Sequence, residues 1–189
     1  MRIVLNGQQA FGQAVLEALI EREDNVVAVY CEPSDAPGRP DPLHQSALEH
    51  GIPLLQPKSF KGERVLSEFK DLKPDLCVMA YVTRIVPISF LNAPAYGTIQ
   101  YHPSLLPAHR GPSSINWPII QGEEETGLTI FWPDEGLDTG PILLQKKVAI
   151  EADDTLGSLY FDKLYPLGVK ALLESIDLVK KGKAPRILQ

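Results

Sequence analysis

The strongest constraint on the fold is a regular alternation of short apolar runs with amphipathic helical patterns. Apolar or β-branched runs predict strands at residues 2–5, 25–30, 52–55, 75–80 and 97–101. Apolar residues at helical spacing predict helices at 10–22, 43–50, 62–72 and 87–91. Strands that alternate with helices pair in parallel through right-handed crossovers. The sequence therefore predicts an α/β fold with a Rossmann-like, doubly wound, mostly parallel sheet.

The second half of the chain departs from this alternation. After a helix expected at 113–121, two β-rich runs at 128–132 and 142–150 lie close together and predict an antiparallel edge of the sheet. Asp and Thr at 153–155 can cap a long C-terminal helix at 156–181, which Gly182 would end. We expect one catalytic domain over residues 1–189, a length that can bury a substantial core.

Composition narrows the possible partners and compartment. No apolar run approaches the roughly 20 residues of a membrane helix, and the N-terminal run is too short for a signal peptide. We therefore expect a cytoplasmic protein without a membrane partner. The net charge of −6 argues against non-specific binding to nucleic acid. Cys31 and Cys77 have no metal-binding spacing, so we interpret both as reduced thiols in the core and expect no metal.

Gly7 and Gly12 follow the first predicted strand and raise the question of a dinucleotide site. Their spacing is Gly-x4-Gly, whereas the dinucleotide fingerprint is Gly-x-Gly-x-x-Gly, and Glu32 is the nearest acidic candidate after the second strand. A tight strand-to-helix turn is the favoured interpretation. The helix N-terminus there could still bind an anionic group, and a nicotinamide-dependent enzyme remains a weaker alternative.

Polar side chains that could serve acyl transfer are concentrated between Gln100 and Gly140. His102 is followed by Pro103, which restricts it to an extended conformation and would fix the direction of its imidazole. Ser104 lies beside it, and Asp138 lies in a Gly-Leu-Asp-Thr-Gly segment whose glycines permit a sharp turn. An imidazole, a hydroxyl and a carboxylate near strand ends are suited to proton transfer. His109 and Arg110 are expected to line the entrance or to face solvent.

These motifs resemble a known family. Tyr-His-Pro-Ser-Leu-Leu-Pro at 101–107, His-Arg-Gly at 109–111, Ile-Asn-Trp at 115–117 and Gly-Leu-Asp-Thr-Gly at 136–140 resemble the formyltransferases that use 10-formyltetrahydrofolate. The likeness is greatest to the hydrolase domain of 10-formyltetrahydrofolate dehydrogenase and extends to methionyl-tRNA formyltransferase. It covers essentially the whole chain, through Phe-Trp at 131–132 and Gly-Lys-Ala-Pro-Arg at 182–186.

The resemblance implies roles for individual residues. His102 and Asp138 match the family's catalytic histidine and aspartate, and Ser104 matches a serine with a positioning role. The expected folate contacts are in two segments, whose residues are Ala80, Tyr81, Val82, Thr83, Arg84 and Val86, and then Asp134, Glu135 and Gly136. Gln100 stands where the transferases carry an Asn whose amide helps to hold the formyl oxygen, and where the hydrolase domain has an aliphatic residue. Gln100 keeps the amide with one more methylene, so it bears on the reaction outcome more than on the ligand.

Several functions stay open at this point. The leading hypothesis is hydrolysis of 10-formyltetrahydrofolate, the formyl donor, to tetrahydrofolate and formate. The alternative is transfer to an amine of methionyl-tRNA, a sugar nucleotide or a metabolite, and a further alternative is a folate-binding module without turnover. The expected partners are the small-molecule folate and further domains of a larger chain, because 181–186 resembles the start of a linker; a nucleic-acid partner is disfavoured.

Overall fold

The computed structural model describes residues 1–33 and 40–189. The sequence also predicts a turn in the proline-rich segment 33–42, and most of that segment lies outside these residues. The chain forms two compact units, residues 1–99 and 100–189. Within the described residues, no helix combines the length and the apolar character that crossing a membrane requires.

The first unit contains the predicted strand and helix alternation. Its strands are β1 (Arg2–Gly7), β2 (Asn25–Tyr30), β3 (Leu54–Leu55), β4 (Leu76–Ala80) and the start of β5 (Thr98–His102). Its helices are α1 (Gln9–Glu21), α2 (Pro42–Glu49), α3 (Glu63–Asp71) and α4 (Ile88–Leu91). β1 pairs in parallel with both β2 and β4, and β2 pairs in parallel with β3. β1 and β4 are almost entirely buried, as expected for parallel strands covered on both faces.

An aromatic cluster fills much of the core of the first unit. The rings of Phe69 and Phe90 stack with centroids 3.8 Å apart, and Tyr30 meets each of them edge-on. Phe60 packs on Phe90 with centroids 5.1 Å apart. Such ring pairs add directional packing to the burial of their large apolar surface. They fix α3 and α4 around the end of β2.

One carboxylate serves the N-termini of two helices in this unit. Both carboxylate oxygens of Asp41 accept from the backbone N–H of Gln9, at 3.0 and 2.8 Å, and Oδ1 also accepts from Leu43 N at 2.9 Å. Gln9 begins α1 and Leu43 lies in the first turn of α2, so both sets of unpaired N–H groups meet the same negative charge. The anion at the start of α1 is therefore part of the protein.

The second unit begins with the end of β5 and is antiparallel. β5 pairs with β6 (Glu125–Phe131), and β6 pairs with β7 (Ile142–Ala149), both antiparallel. The short helix α5 (Asn116–Gln121) precedes β6. The strand order is β3-β2-β1-β4-β5-β6-β7. The prediction of a mostly parallel sheet with an antiparallel edge is thereby confirmed.

The long C-terminal helix is interrupted near its start. It comprises α6 (Leu156–Ser158), a π-helical turn (Leu159–Leu164) and α7 (Tyr165–Lys180). The Thr155 hydroxyl accepts from Ser158 N, and Ser158 Oγ accepts from Thr155 N, which forms a capping box. Gly182 ends the helix in a left-handed conformation, with φ of +64°. Both predicted end signals are confirmed, although the helix between them is not continuous.

Candidate active site

His102 lies at the end of β5, and its side chain is almost fully buried in the second unit. Its Nε2 lies 2.9 Å from the carbonyl oxygen of His109. Its Nδ1 lies 3.5 Å from Oδ2 of Asp138, a separation within the range of an ion pair but longer than a formed N–H···O hydrogen bond. Both neighbours are hydrogen-bond acceptors, whereas a neutral imidazole carries only one N–H. A neutral ring can therefore donate to only one of these two acceptors at a time.

Asp138 is held by its own backbone and by a neighbouring loop. It is 8% exposed and has φ of +53°, a left-handed conformation that Asp tolerates better than most residues. Its Oδ2 accepts from the backbone N–H of Gly111 at 2.8 Å. A hydrogen bond from a backbone donor to a carboxylate both fixes and stabilises the charge. The structure therefore places a buried, oriented carboxylate next to the imidazole of His102.

A close backbone approach at Gly140 shapes the turn that carries Asp138. A Cβ built on Gly140 would collide with the carbonyl oxygen of Trp132. Nearby, Oδ1 of Asp134 accepts from Gly136 N at 3.0 Å and from Thr139 Oγ1 at 2.7 Å. Asp134 thus closes an Asx-type turn, and the requirement for Gly at 140 is steric.

Ser104 is fully buried and faces the loop backbone. Its hydroxyl donates to the carbonyl of Ala108 at 2.7 Å, and its own carbonyl accepts from Thr129 Oγ1 at 2.7 Å. These contacts fold residues 104–108 against β6 and fix the approach to His109, whose carbonyl meets His102. The positioning role that the resemblance implies for Ser104 stays a prediction.

Gln100 shares a strand face with His102. The two residues are two positions apart in β5, and side chains at that spacing point to the same side of a sheet. In the antiparallel ladder Gln100 pairs with Phe131 and His102 pairs with Thr129. Gln100 is half-buried. It therefore presents an amide on the face that carries the imidazole.

Of the two residues expected to line an entrance or to face solvent, Arg110 is exposed and His109 is mostly buried. The side chain of His109 is only 13% exposed and lies 2.8 Å from Oε1 of Glu123. Its φ is +52°, and this conformation turns its carbonyl toward His102. Arg110 is exposed, but its guanidinium donates to Oε1 of Gln189. The sequence motif drew attention to residues 109–111. It could not show that the backbone carbonyl of His109 and the backbone N–H of Gly111 contact His102 and Asp138.

In the first unit, the predicted folate segment is anchored to the end of β2. Arg84 Nε donates to Oε1 of Glu32 at 2.8 Å, and Arg84 Nη1 donates to the carbonyl of Lys58 at 2.7 Å. Thr83 Oγ1 also donates to Glu32, at 3.3 Å. Ala80 and Val86 are buried, Tyr81 and Thr83 are exposed, and Val82 and Arg84 are half-buried. Hydrogen bonds to Glu32 therefore hold Thr83 and Arg84 in place, while Tyr81 and Thr83 are exposed to solvent.

A small cleft adjoins this segment within the first unit. It has a volume of about 260 Å³ including the space open to solvent, and Asn6, Phe60, Tyr81 and Val82 are among its lining residues. Glu32 also lines the cleft but is already paired with Arg84. A ribose-binding acidic residue would need free carboxylate oxygens at this position. This pairing further weakens the nicotinamide alternative.

The second predicted folate segment, Asp134 to Gly136, is exposed in the second unit. The Asx-type turn of Asp134 fixes its backbone, while Glu135 extends from the surface. Rigid backbone with exposed polar groups is a common arrangement for ligand contacts on loops. None of these three residues has a hydrogen bond to His102 among the contacts of the described residues.

Comparisons with known proteins identify relatives of this chain. A model of the formyl transferase family matches residues 1–176. The mitochondrial 10-formyltetrahydrofolate dehydrogenase of Homo sapiens is 41% identical over 194 residues, which cover all of this chain and 21% of that protein. The methionyl-tRNA formyltransferase of Geotalea daltonii is 41% identical over 191 residues, which cover 98% of this chain and 61% of that protein. The chain thus spans about a fifth of the length of the dehydrogenase relatives.

Solved structures show the same fold. Glycinamide ribonucleotide transformylase 1 from Symbiobacterium toebii superposes with a TM-score of 0.83 at 24% identity, covering all of this chain and 94% of that one. Phosphoribosylglycinamide formyltransferase from Bacillus halodurans gives a TM-score of 0.76 at 27% identity, covering 95% of this chain and 98% of that one. The family model matches most of the length of this chain, and the chain therefore belongs to the formyl transferase family.

Proposed function

We propose that this protein binds 10-formyltetrahydrofolate and transfers the formyl group to water, releasing formate and tetrahydrofolate. The observation that carries the proposal is the buried pair of His102 and Asp138, with Nδ1 and Oδ2 3.5 Å apart. Membership of the formyl transferase family and the named substrate of the dehydrogenase relatives support the choice of formyl donor. The folate contacts proposed are Ala80 to Arg84 and Val86 in the first unit and Asp134 to Gly136 in the second.

The proposed mechanism uses Asp138 as the base and His102 as the hydrogen-bond donor. Asp138 accepts a proton from water as the water oxygen bonds to the formyl carbon. Nδ1 of His102, which lies 3.5 Å from Asp138 and makes no formed hydrogen bond to it, donates to the formyl oxygen, which becomes an oxyanion in the tetrahedral intermediate. The bond from carbon to N10 then breaks, and N10 takes up the proton that Asp138 received. Gln100, on the same strand face as His102, assists by donating its amide to the same oxygen.

Two observations favour water over the amine acceptors. A phosphorylated acceptor is commonly held by the N-terminus of a helix that follows a strand. In this chain the N-terminus of α1, which follows β1, already holds the carboxylate of Asp41. A tRNA acceptor needs a positive surface, and the chain has a net charge of −6.

Transfer to an amine is the second candidate. It is favoured by the 41% identity to a methionyl-tRNA formyltransferase and by the amide of Gln100, which the transferases supply with a shorter Asn. In that reaction the amine takes the place of water and Asp138 accepts its proton. Asp138 and His102 keep the same roles.

The test measures tetrahydrofolate and formate released from 10-formyltetrahydrofolate without an added acceptor. Wild type should turn over, and His102→Ala and Asp138→Asn should each lower kcat by about 10²- to 10⁴-fold, the usual loss of general acid–base catalysis. His50→Ala and Asp153→Asn, both exposed positions, are matched controls and should retain wild-type rates. Folate binding with turnover only after addition of an amine would favour the second candidate. Absence of folate binding would overturn both.

A further inference from the structure

We propose that Gln189 is a positioning residue that holds the turn of Asp138 and the loop of Arg110 in register. The inference rests on the proposed function, in which Asp138 is the base. Gln189 is half-buried and lies 51 positions after Asp138 in the sequence. Its side chain makes four hydrogen bonds to these two segments, so it links both supports of the carboxylate.

The amide nitrogen of Gln189 binds the backbone on either side of Thr139. It donates to the carbonyl of Asp138 at 2.9 Å and to the carbonyl of Gly140 at 2.7 Å. Both amide hydrogens are thereby used. Asp138 itself has a left-handed backbone, which is less stable than the ordinary regions unless its surroundings hold it. Gln189 supplies part of that support.

The amide oxygen of Gln189 binds the second segment. It accepts from Nη2 of Arg110 at 2.7 Å and from Nε of Arg110 at 3.2 Å. Arg110 immediately precedes Gly111, whose N–H donates to Oδ2 of Asp138. Arg110 also follows His109, whose carbonyl meets His102 Nε2. A single side chain therefore couples the backbone of the base to the loop that orients both the base and the imidazole.

The position of Gln189 is itself fixed by the preceding residues. Ile187 exchanges both backbone hydrogen bonds with Ile142, at 2.7 and 2.9 Å. Trp132 Nε1 donates to the carbonyl of Pro185 at 2.9 Å, and the guanidinium of Arg186 lies 3.9 Å above the centre of the Trp132 ring. These contacts lower the conformational entropy that Gln189 would otherwise lose in reaching the turn. The arrangement acts as a strap anchored on β7 and on Trp132.

Two substitutions separate the two ends of the amide. Gln189→Met keeps the length of the side chain and removes all four hydrogen bonds. Gln189→Glu keeps an acceptor for Arg110 but places carboxylate oxygen against the carbonyls of Asp138 and Gly140. Misplacement of a reacting group by about 1 Å can cost about 10²-fold in rate. We expect kcat for formyl release to fall by about 10- to 100-fold in Gln189→Met and at least as far in Gln189→Glu, with little change in KM.

Leu188→Ala is the matched control because Leu188 is the neighbouring residue and is 84% exposed. It should keep wild-type kcat.

A second measurement does not depend on activity: amide hydrogen exchange at Gly111, whose N–H is protected by Asp138. Exchange at Gly111 should accelerate in Gln189→Met and stay unchanged in Leu188→Ala. Both measurements are made well below the thermal transition of each variant, so that loss of folded protein does not contribute.

A double-mutant comparison tests the link through Arg110. Arg110→Ala should lower kcat, and Arg110→Ala combined with Gln189→Met should be little worse than Gln189→Met alone, because both remove the same connection.

The outcomes are distinguishable. Wild-type kcat in both Gln189 variants, or unchanged exchange at Gly111 in Gln189→Met, would overturn the inference. Normal kcat in Gln189→Glu beside a loss in Gln189→Met would show that only the Arg110 contact matters, which also overturns it. If wild type releases no formyl group, the proposed function fails, and exchange at Gly111 still decides the positioning role.

Discussion

The backbone N–H of Gly111 donates to Oδ2 of Asp138 at 2.8 Å, so a glycine in one loop orients the carboxylate of another. Variants that keep or lose this hydrogen bond can therefore separate the effect of Asp138 on stability from its effect on catalysis. Asn can keep an oxygen acceptor for Gly111 and also tolerates the left-handed backbone, whereas Ala does neither.

We predict that Asp138→Asn stays within about 1 kcal/mol of wild type in unfolding free energy, since one acceptor is retained. Asp138→Ala should be about 1–3 kcal/mol less stable because Gly111 loses its partner. Both should lose kcat. Urea denaturation followed by circular dichroism, alongside kinetics, checks the difference, and equal stability of the two variants would contradict it.

Gly140→Ala is predicted to destabilise the fold by about 1–3 kcal/mol, the usual range for overpacking, because its Cβ would meet the Trp132 carbonyl. Gly157→Ala is the matched control. It lies in α6 with only an ordinary contact to Thr155, and Ala gains about 1 kcal/mol over Gly in a helix interior at most. The free energy of unfolding should therefore fall in Gly140→Ala and should rise or stay unchanged in Gly157→Ala. Similar losses in both variants would reject the steric argument.

Acid stability should depend on Asp154. Hydrogen bonds from Lys163, from the Glu151 N–H and from Ser158 lower the pKa of Asp154 from 3.8 to about 2. A pKa lowered by folding stabilises the protein above the unfolded value and loses that contribution as pH falls toward the folded value. The window for Asp154 thus runs from about pH 4 down to about pH 2.

Replacing Asp154 by Asn should flatten the decline of the melting temperature in that window, and Asp153→Asn, at the exposed neighbouring position, should leave the decline unchanged. An unaltered acid profile in Asp154→Asn would remove Asp154 from the explanation.

The two cysteines should be inert in the native protein. Burial raises the pKa of both Cys31 and Cys77 to about 12, and for Cys31 the nearby Asp41 carboxylate adds to the effect. At pH 8 only about one thiol in ten thousand would be the reactive thiolate. A thiol-specific reagent should find no reactive thiol at pH 8 in the folded state and two after unfolding. Rapid labelling of native protein would contradict the burial of these side chains.

Much of the fold could be predicted because the apolar runs are unambiguous. The strand predicted at 25–30 coincides with β2, and the antiparallel pair was expected from two adjacent β-rich runs. β6 begins at Glu125, earlier than predicted, because cross-strand pairing with β7 includes polar residues that carry no apolar signal. Tertiary pairing, rather than local propensity, sets that boundary.

The prediction of one helix at 156–181 rests on its two end signals and does not take Pro166 into account. Proline in a helix interior lacks an N–H and clashes with the carbonyl four residues earlier. In the structure Pro166 falls in the first turn of α7, where its missing N–H is no loss, and the π-helical turn precedes it.

The candidate site was predictable only in its side chains. His102 and Asp138 were identified from their motif and lie together, but their pairing in catalysis remains a prediction. The Gly111 N–H and the His109 carbonyl are backbone groups that every sequence possesses. Gln189 is an ordinary residue until the strap brings it to Asp138. Neither the backbone contacts nor the contact of Gln189 with Asp138 corresponds to a local sequence motif.

The π-helical turn at Leu159–Leu164 has a consequence for sequence length. A π-type turn accommodates one more residue than α-helical winding over the same path. Deleting one residue there would restore regular winding, but each α-helical residue corresponds to a rotation of about 100°. The buried stripe of α7 around Leu172 and Ile176 is held by its packing, so the short and largely exposed α6 would have to rotate in its place. With the extra residue, the capped start in α6 and the buried face of α7 can both keep their orientation, although the helix contains a proline.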